Sequence, residues 1–87
     1  MKNVVFKGES LSEIFYWAHS DKNIFDRIFD LLKDINRNGA AKGIGKPEKL
    51  KRRKDCWSRR ITEEHRLVYK VDAENIYVLS CRGHYDE

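Results

Sequence analysis

The apolar residues of this chain change their spacing partway along it, and that change restricts the available folds more than any other feature. Before residue 40 they recur every three or four positions: Ile24, Ile28, Leu31, Leu32 and Ile35 share one face, with Phe25 and Phe29 alongside. This predicts an amphipathic helix, capped by Ser20 or Asp21 and stopped at Asn38 and Gly39, which tolerate the left-handed conformation. From Trp57 the period is two, with Trp57, Arg59 and Ile61 on one face and Ser58, Arg60 and Thr62 on the other. Glu63 to His65 make a turn. Leu67 to Val71 and Ile76 to Cys81 are further strands, separated by residues 72–75, so an antiparallel meander is expected.

Ahead of the long helix, Asn3 to Lys7 contains Val4, Val5 and Phe6 and predicts a short strand ended by Gly8. Ser10 and Glu13 have capping-box spacing at the start of a helix whose apolar stripe is Leu11, Ile14, Phe15 and Ala18, ending near His19. Only about one or two residues separate the helices, which predicts a hairpin. Helices first and hairpins after give an α+β fold: an N-terminal strand and a two-helix hairpin packed on one face of a twisted, mainly antiparallel sheet.

Eighty-seven residues leave room for one domain, residues 1–87, burying only roughly 60–65% of its unfolded surface. Ten Phe, Tyr and Trp side chains make a core feasible at that size. There is no run of about 18 apolar residues, and residues 1–6 lack the basic start and apolar stretch of a signal peptide. A soluble, cytoplasmic protein with no membrane partner is expected. In that compartment Cys56 and Cys81 are expected as two thiols rather than a bridge.

The net charge of +4 is unevenly placed. Residues 1–41 are neutral and residues 61–87 carry −3, whereas in residues 42–60 nine basic side chains face only Glu48 and Asp55, a net +7. Such a block suits a polyanion, because each neutralised phosphate releases condensed counterions. A merely solvated loop is the alternative. Gly39, Gly43 and Gly45 make residues 39–47 a flexible basic loop, and Gly45-Lys46 followed by Pro47 does not fit a nucleotide phosphate loop.

RNA carries its own nucleophile, the 2′-hydroxyl. A ribonuclease without metal must therefore remove that proton, stabilise the phosphorane charge and protonate the leaving 5′-oxygen. Glu48, ringed by cations, suits a base or an electrostatic anchor, or else simply softens the block; Asp55 competes with it. Arg66 lies opposite the apolar face of its strand, within reach of Arg59 or Arg60, and can grip phosphate or instead pair with Glu63 or Glu64. Of the histidines, His19 fits a helix end and His65 a turn. His84 stands between Arg82 and Tyr85 in a basic, aromatic tail able to hold phosphate and stack a base, unless that terminus is frayed. Cys81 and His84 form a zinc half-site without the close second pair that a structural site needs, so no metal or other cofactor is expected.

The stretch Trp57-Ser58-Arg59-Arg60-Ile61-Thr62-Glu63-Glu64-His65-Arg66-Leu67-Val68-Tyr69 resembles the signature of the YoeB toxins, within the wider RelE-like superfamily. Tyr16-Trp17, Gly45-Lys46-Pro47-Glu48 with Leu50, and Cys81-Arg82 with His84-Tyr85 match in the same order. The resemblance implies a RelE-like fold and an endoribonuclease that cuts messenger RNA in the ribosomal A site. It implies Glu48 as general base, Arg66 as transition-state arginine, His84 as general acid and Tyr85 as the residue orienting or stacking substrate. Lys51 and Arg60 look like phosphate and ribosomal RNA contacts, and Lys46, Lys49, Arg52 and Arg53 extend that basic surface. The implied partners are a YefM-type antitoxin, the ribosome and a second copy of the chain, with DNA reached only through the antitoxin. Two departures stand out. Arg53-Lys54-Asp55-Cys56 replaces the usual Leu-Ser-Gly-aromatic, and Gly83 replaces an aromatic, which is expected to loosen the backbone beneath His84. The rival reading is a basic module that binds RNA or the ribosome without cutting.

Overall fold

The structure, a computed structural model, describes residues 1–84. In chain order the elements are β1 (Asn3–Phe6), α1 (Ser10–Ser20), α2 (Lys22–Asn38), β2 (Glu48–Lys49), β3 (Trp57–Arg60), β4 (Arg66–Val71) and β5 (Asn75–Ser80). α2 forms where its pattern predicts. The Asp21 carboxylate accepts from the Asn23 and Ile24 amides at its start, and Gly39, at φ 86°, ends it with an N–H donated to the Ile35 carbonyl. Ile28, Leu31, Leu32 and Ile35 are fully buried, each gaining about 1.5–3 kcal/mol from leaving water.

α1 departs from its prediction in two ways. The capping box does not form: Ser10 Oγ donates to the Val78 carbonyl at 2.9 Å, and the Glu13 carboxylate accepts the Cys81 amide at 2.7 Å. Both polar side chains are drawn to β5 and its exit because the helix start is packed against that strand. The buried stripe is also rotated from the expected one. Ile14 and Trp17 face the core, while Leu11 and Phe15 remain exposed, since the Trp17 indole N–H finds the Cys81 carbonyl at 2.9 Å.

The strands form one sheet in the order β1-β5-β4-β3-β2. β1 runs parallel to β5, and the other neighbours are antiparallel. The helix hairpin covers the face bearing Leu67, Tyr69, Ile76 and Val78. The opposite face carries Ser58, Arg60, Arg66 and Lys70, with a small apolar cluster of Leu50, Cys56 and Val68 against Leu79. Among the described residues no helix is long and apolar enough to cross a membrane. β2 had no signal in the sequence, because two charged residues after a proline show no alternation.

The glycine-rich segment before β2 is tied down rather than flexible, and Arg59 belongs to the interior rather than to the basic surface. Its side chain is fully buried. Nε donates to the Tyr69 hydroxyl at 2.9 Å, Nη1 to Asp34 Oδ2 and the Ile44 carbonyl, and Nη2 to the Gly39 and Lys42 carbonyls. All five guanidinium donors are thereby used, which makes burial of the charge tolerable. Gly43 is required here, since a Cβ at this position would overlap the Asp34 carboxylate. Burial pushes the Asp34 carboxyl up, but hydrogen bonds from Arg59 and the Ile44 amide, with the Arg59 charge, bring it below its ordinary value.

Candidate active site on the open face of the sheet

Strand register assembles the site. Glu48 lies opposite Ser58, and Arg60 lies opposite Arg66, so all four project from the uncovered face. The Arg66 guanidinium crosses β3 to reach the edge strand: Nε donates to Ser58 Oγ at 3.0 Å and Nη2 to Glu48 Oε2 at 3.4 Å. Its side chain is 8% exposed against 69% for Glu48. Ser58 thus orients a buried guanidinium, while its carboxylate partner sits at the rim. A separation of 3.4 Å is long for a charge-assisted bond, typically about 2.7–2.9 Å, so this rim contact is looser than the one to Ser58. Arg66 therefore pairs with Glu48 instead of Glu63 or Glu64, and the arginine sharing its face is Arg60.

The C-terminal tail meets this site from the side of α1. The Arg66 amide donates to the Gly83 carbonyl at 3.0 Å, and the Gly83 amide donates to His65 Nδ1 at 2.8 Å. Upstream, Cys81 is held by Glu13 and Trp17, and the Arg82 guanidinium stacks 3.7 Å from the centre of the Tyr16 ring. Gly83 adopts φ +98°, a conformation suited to glycine, and both of its backbone groups are bonded. Gly83 is thus bonded through both backbone groups at the point where the sequence suggested a looser chain beneath His84. His84, exposed, directly follows the residue that the Arg66 amide holds. Tyr85 lies outside the described residues.

The basic residues are spread around this centre. Lys46 occupies a positive φ of 52° before β2, and Lys49 pairs in register with Trp57, on the opposite side of its strand from Glu48. Lys51, Arg52 and Arg53 lie on an exposed turn closed by the Leu50 and Cys56 backbones, and Arg60 is exposed at the end of β3. A concavity of about 800 Å³, lined in part by Lys7, Arg53, Lys54, Lys70 and Tyr77, takes in neither Glu48 nor Arg66. Contacts decide the site better than concavity does, because they converge on Arg66. Cys81 serves the core: burial and the nearby Glu13 charge push its thiol up to about 12, which disfavours the thiolate a zinc half-site needs. Sequence reasoning missed Ser58 as the guanidinium's support and His65 as the tail's acceptor. Alternation placed Ser58 on the right face, whereas nothing local signalled a contact between His65 and a residue 18 positions on.

A model of the YoeB-like toxin of bacterial type II toxin-antitoxin systems matches residues 6–85. Toxin YoeB of Escherichia coli K12 is 45% identical over 83 residues, covering 94% of this chain and 98% of that protein. The YoeB dimer of Staphylococcus aureus superimposes with a TM-score of 0.93 at 46% identity, covering 97% of this chain and 98% of that one. The heterotetrameric YoeB-YefM complex from the same organism gives 0.90 at 46%, covering 98% and 99%. With the α+β architecture in common and identity sustained over nearly the whole length, this chain belongs to the YoeB-like toxin family of bacterial type II toxin-antitoxin systems.

Proposed function

We propose that this toxin is a ribosome-dependent endoribonuclease that cleaves messenger RNA in the A site and needs no metal. The observation that carries the reading is the Glu48–Arg66 pair, displaceable at the rim of the open face, beside the anchored tail that leads into His84. Glu48 takes the 2′-hydroxyl proton, and the resulting alkoxide attacks the adjacent phosphorus. Arg66, oriented by Ser58, exchanges its carboxylate contact for the phosphate and stabilises the charge that grows on the phosphorane. His84 protonates the departing 5′-oxygen, and Tyr85 orients or stacks the substrate. One fragment then ends in a 2′,3′-cyclic phosphate or its opened 3′-phosphate, the other in a 5′-hydroxyl.

Lys46, Lys49, Lys51, Arg52, Arg53 and Arg60 supply the sequence-independent grip on RNA and ribosome. The Staphylococcus aureus relatives, one a dimer and one bound to YefM, support a homodimer and a YefM-type antitoxin as protein partners. DNA is reached only through that antitoxin, and the site of action is the bacterial cytoplasm, where translating ribosomes are. Mapping reverse-transcription stops on translated messenger after brief induction tests the reading. New ends within A-site codons are expected. Arrested translation without new RNA ends would sink it and favour a binding module that blocks the ribosome.

A further inference from the structure

His65 sits beside Arg66 in the chain, yet its side chain turns away from the Glu48–Arg66 pair. The ring stands edge-on against Trp17, with centroids 4.7 Å apart and an interplanar angle of 70°. Its backbone is fixed from the other side: the His65 amide donates to Thr62 Oγ1, and its carbonyl accepts the Ile61 and Thr62 amides. A ring held this firmly presents Nδ1 to the Gly83 amide at 2.8 Å. Accepting there requires the tautomer whose single ring proton is on Nε2.

Consecutive residues thus grip Gly83 through both of its backbone groups, His65 by the side chain and Arg66 by its amide. The grip on Gly83 is not the only attachment of this segment, because Cys81 is fastened to α1 by Glu13 and Trp17. What the grip controls is the direction of the chain leaving Gly83. Glycine is the most permissive residue, and here it holds φ +98°, so a tail passing through it keeps one course only if something outside restrains it.

We propose that His65 is a positioning residue: its hydrogen bond to the Gly83 amide fixes the course of the tail and so sets where the His84 imidazole stands relative to Arg66. This rests on reading His84 as the general acid. Two variants separate hydrogen bonding from packing. His65→Phe keeps a ring against Trp17 but loses the acceptor, whereas His65→Asn places an amide oxygen at the same reach from the backbone.

The antitoxin-free toxin and both variants, each checked for cooperative unfolding, are compared in single-turnover cleavage on saturating messenger-programmed ribosomes. His65→Phe is expected to cleave about tenfold slower or worse with ribosome affinity changed by less than about twofold, and His65→Asn to recover most of the rate. Exchange of the Gly83 amide with solvent, read by NMR, should be faster in His65→Phe and restored in His65→Asn. Wild-type cleavage by His65→Phe would overturn the proposal, and a loss confined to His65→Asn would assign the effect to packing on Trp17; equal losses in both would overturn it as well, because restoring the acceptor would then restore nothing. A wild-type protein that fails to cleave would remove the endonuclease reading instead, and an unchanged Gly83 amide in His65→Phe would overturn the latch regardless of cleavage.

Discussion

Arg59 and Arg66 occupy neighbouring strands and are both withdrawn from solvent, one facing the helices and the other the open side of the sheet. Arg59 spends its five donors on Asp34, Tyr69 and three carbonyls of the glycine-rich loop, all within the protein. Arg66 is oriented by Ser58 and reaches outward to a carboxylate that is 69% exposed at the sheet edge. Burial and residue type are alike in the two cases; the permanence of the partners differs. A guanidinium whose donors all end on groups fixed by the fold holds that fold together. One aimed at a rim carboxylate 3.4 Å away has its charged partner on the solvent side, and that is the partner the proposed mechanism exchanges for phosphate.

The largest effect should come from breaking the interior arginine. Arg59→Leu strands the Asp34 carboxylate and the loop carbonyls and should cost about 3–5 kcal/mol in urea unfolding; a loss under about 1 kcal/mol would erase the contrast. Glu48→Gln should leave stability within about 1 kcal/mol, since its partner contact is at the surface. Single-turnover cleavage should nevertheless fall on the order of 10²-fold. Equal changes in both quantities would mean that the open-face pair is structural too.

Gly83→Ala should cost about 1–2 kcal/mol, read as a lowered melting temperature. No atom lies within 4 Å of an added Cβ, so the penalty comes from φ alone. The smallest effect concerns pH. The Asp34 carboxyl lies below its ordinary 3.8 when folded, so its stabilisation is complete above that value and is lost as pH falls through the folded one. The urea midpoint should therefore drop on acidification below about pH 4, and Asp34→Asn should flatten that drop. An identical acid profile in the variant would show that Asp34 contributes no linkage.

The sequence revealed those parts of the fold whose cause is local. α2 announces itself through Ile28, Leu31, Leu32 and Ile35 with Asp21 at its start, and the strands from Trp57 onward through simple alternation. Features decided by partners far along the chain stayed hidden. Arg59 read as one more surface cation because Asp34 stands 25 residues away. Ser10 and Glu13 fit a local cap, but β5 offered them better-placed partners 68 residues on. Gly83 read as slack because its restraint comes from His65 and Arg66, across the sheet end. Of the candidate site, Glu48 and Arg66 were chosen through family resemblance, and no residue spacing foretold that an edge strand of two residues would bring them together.

The most direct measurement concerns Arg66→Lys, which keeps a positive charge but loses the planar fork that engages Ser58 and Glu48 together. Single-turnover cleavage on saturating programmed ribosomes should fall by on the order of 10²-fold or more, with ribosome affinity and unfolding midpoint close to wild type. Cleavage near the wild-type rate, or a loss that merely follows a loss of folding, would contradict the assignment of the open face to chemistry and of the covered face to the fold.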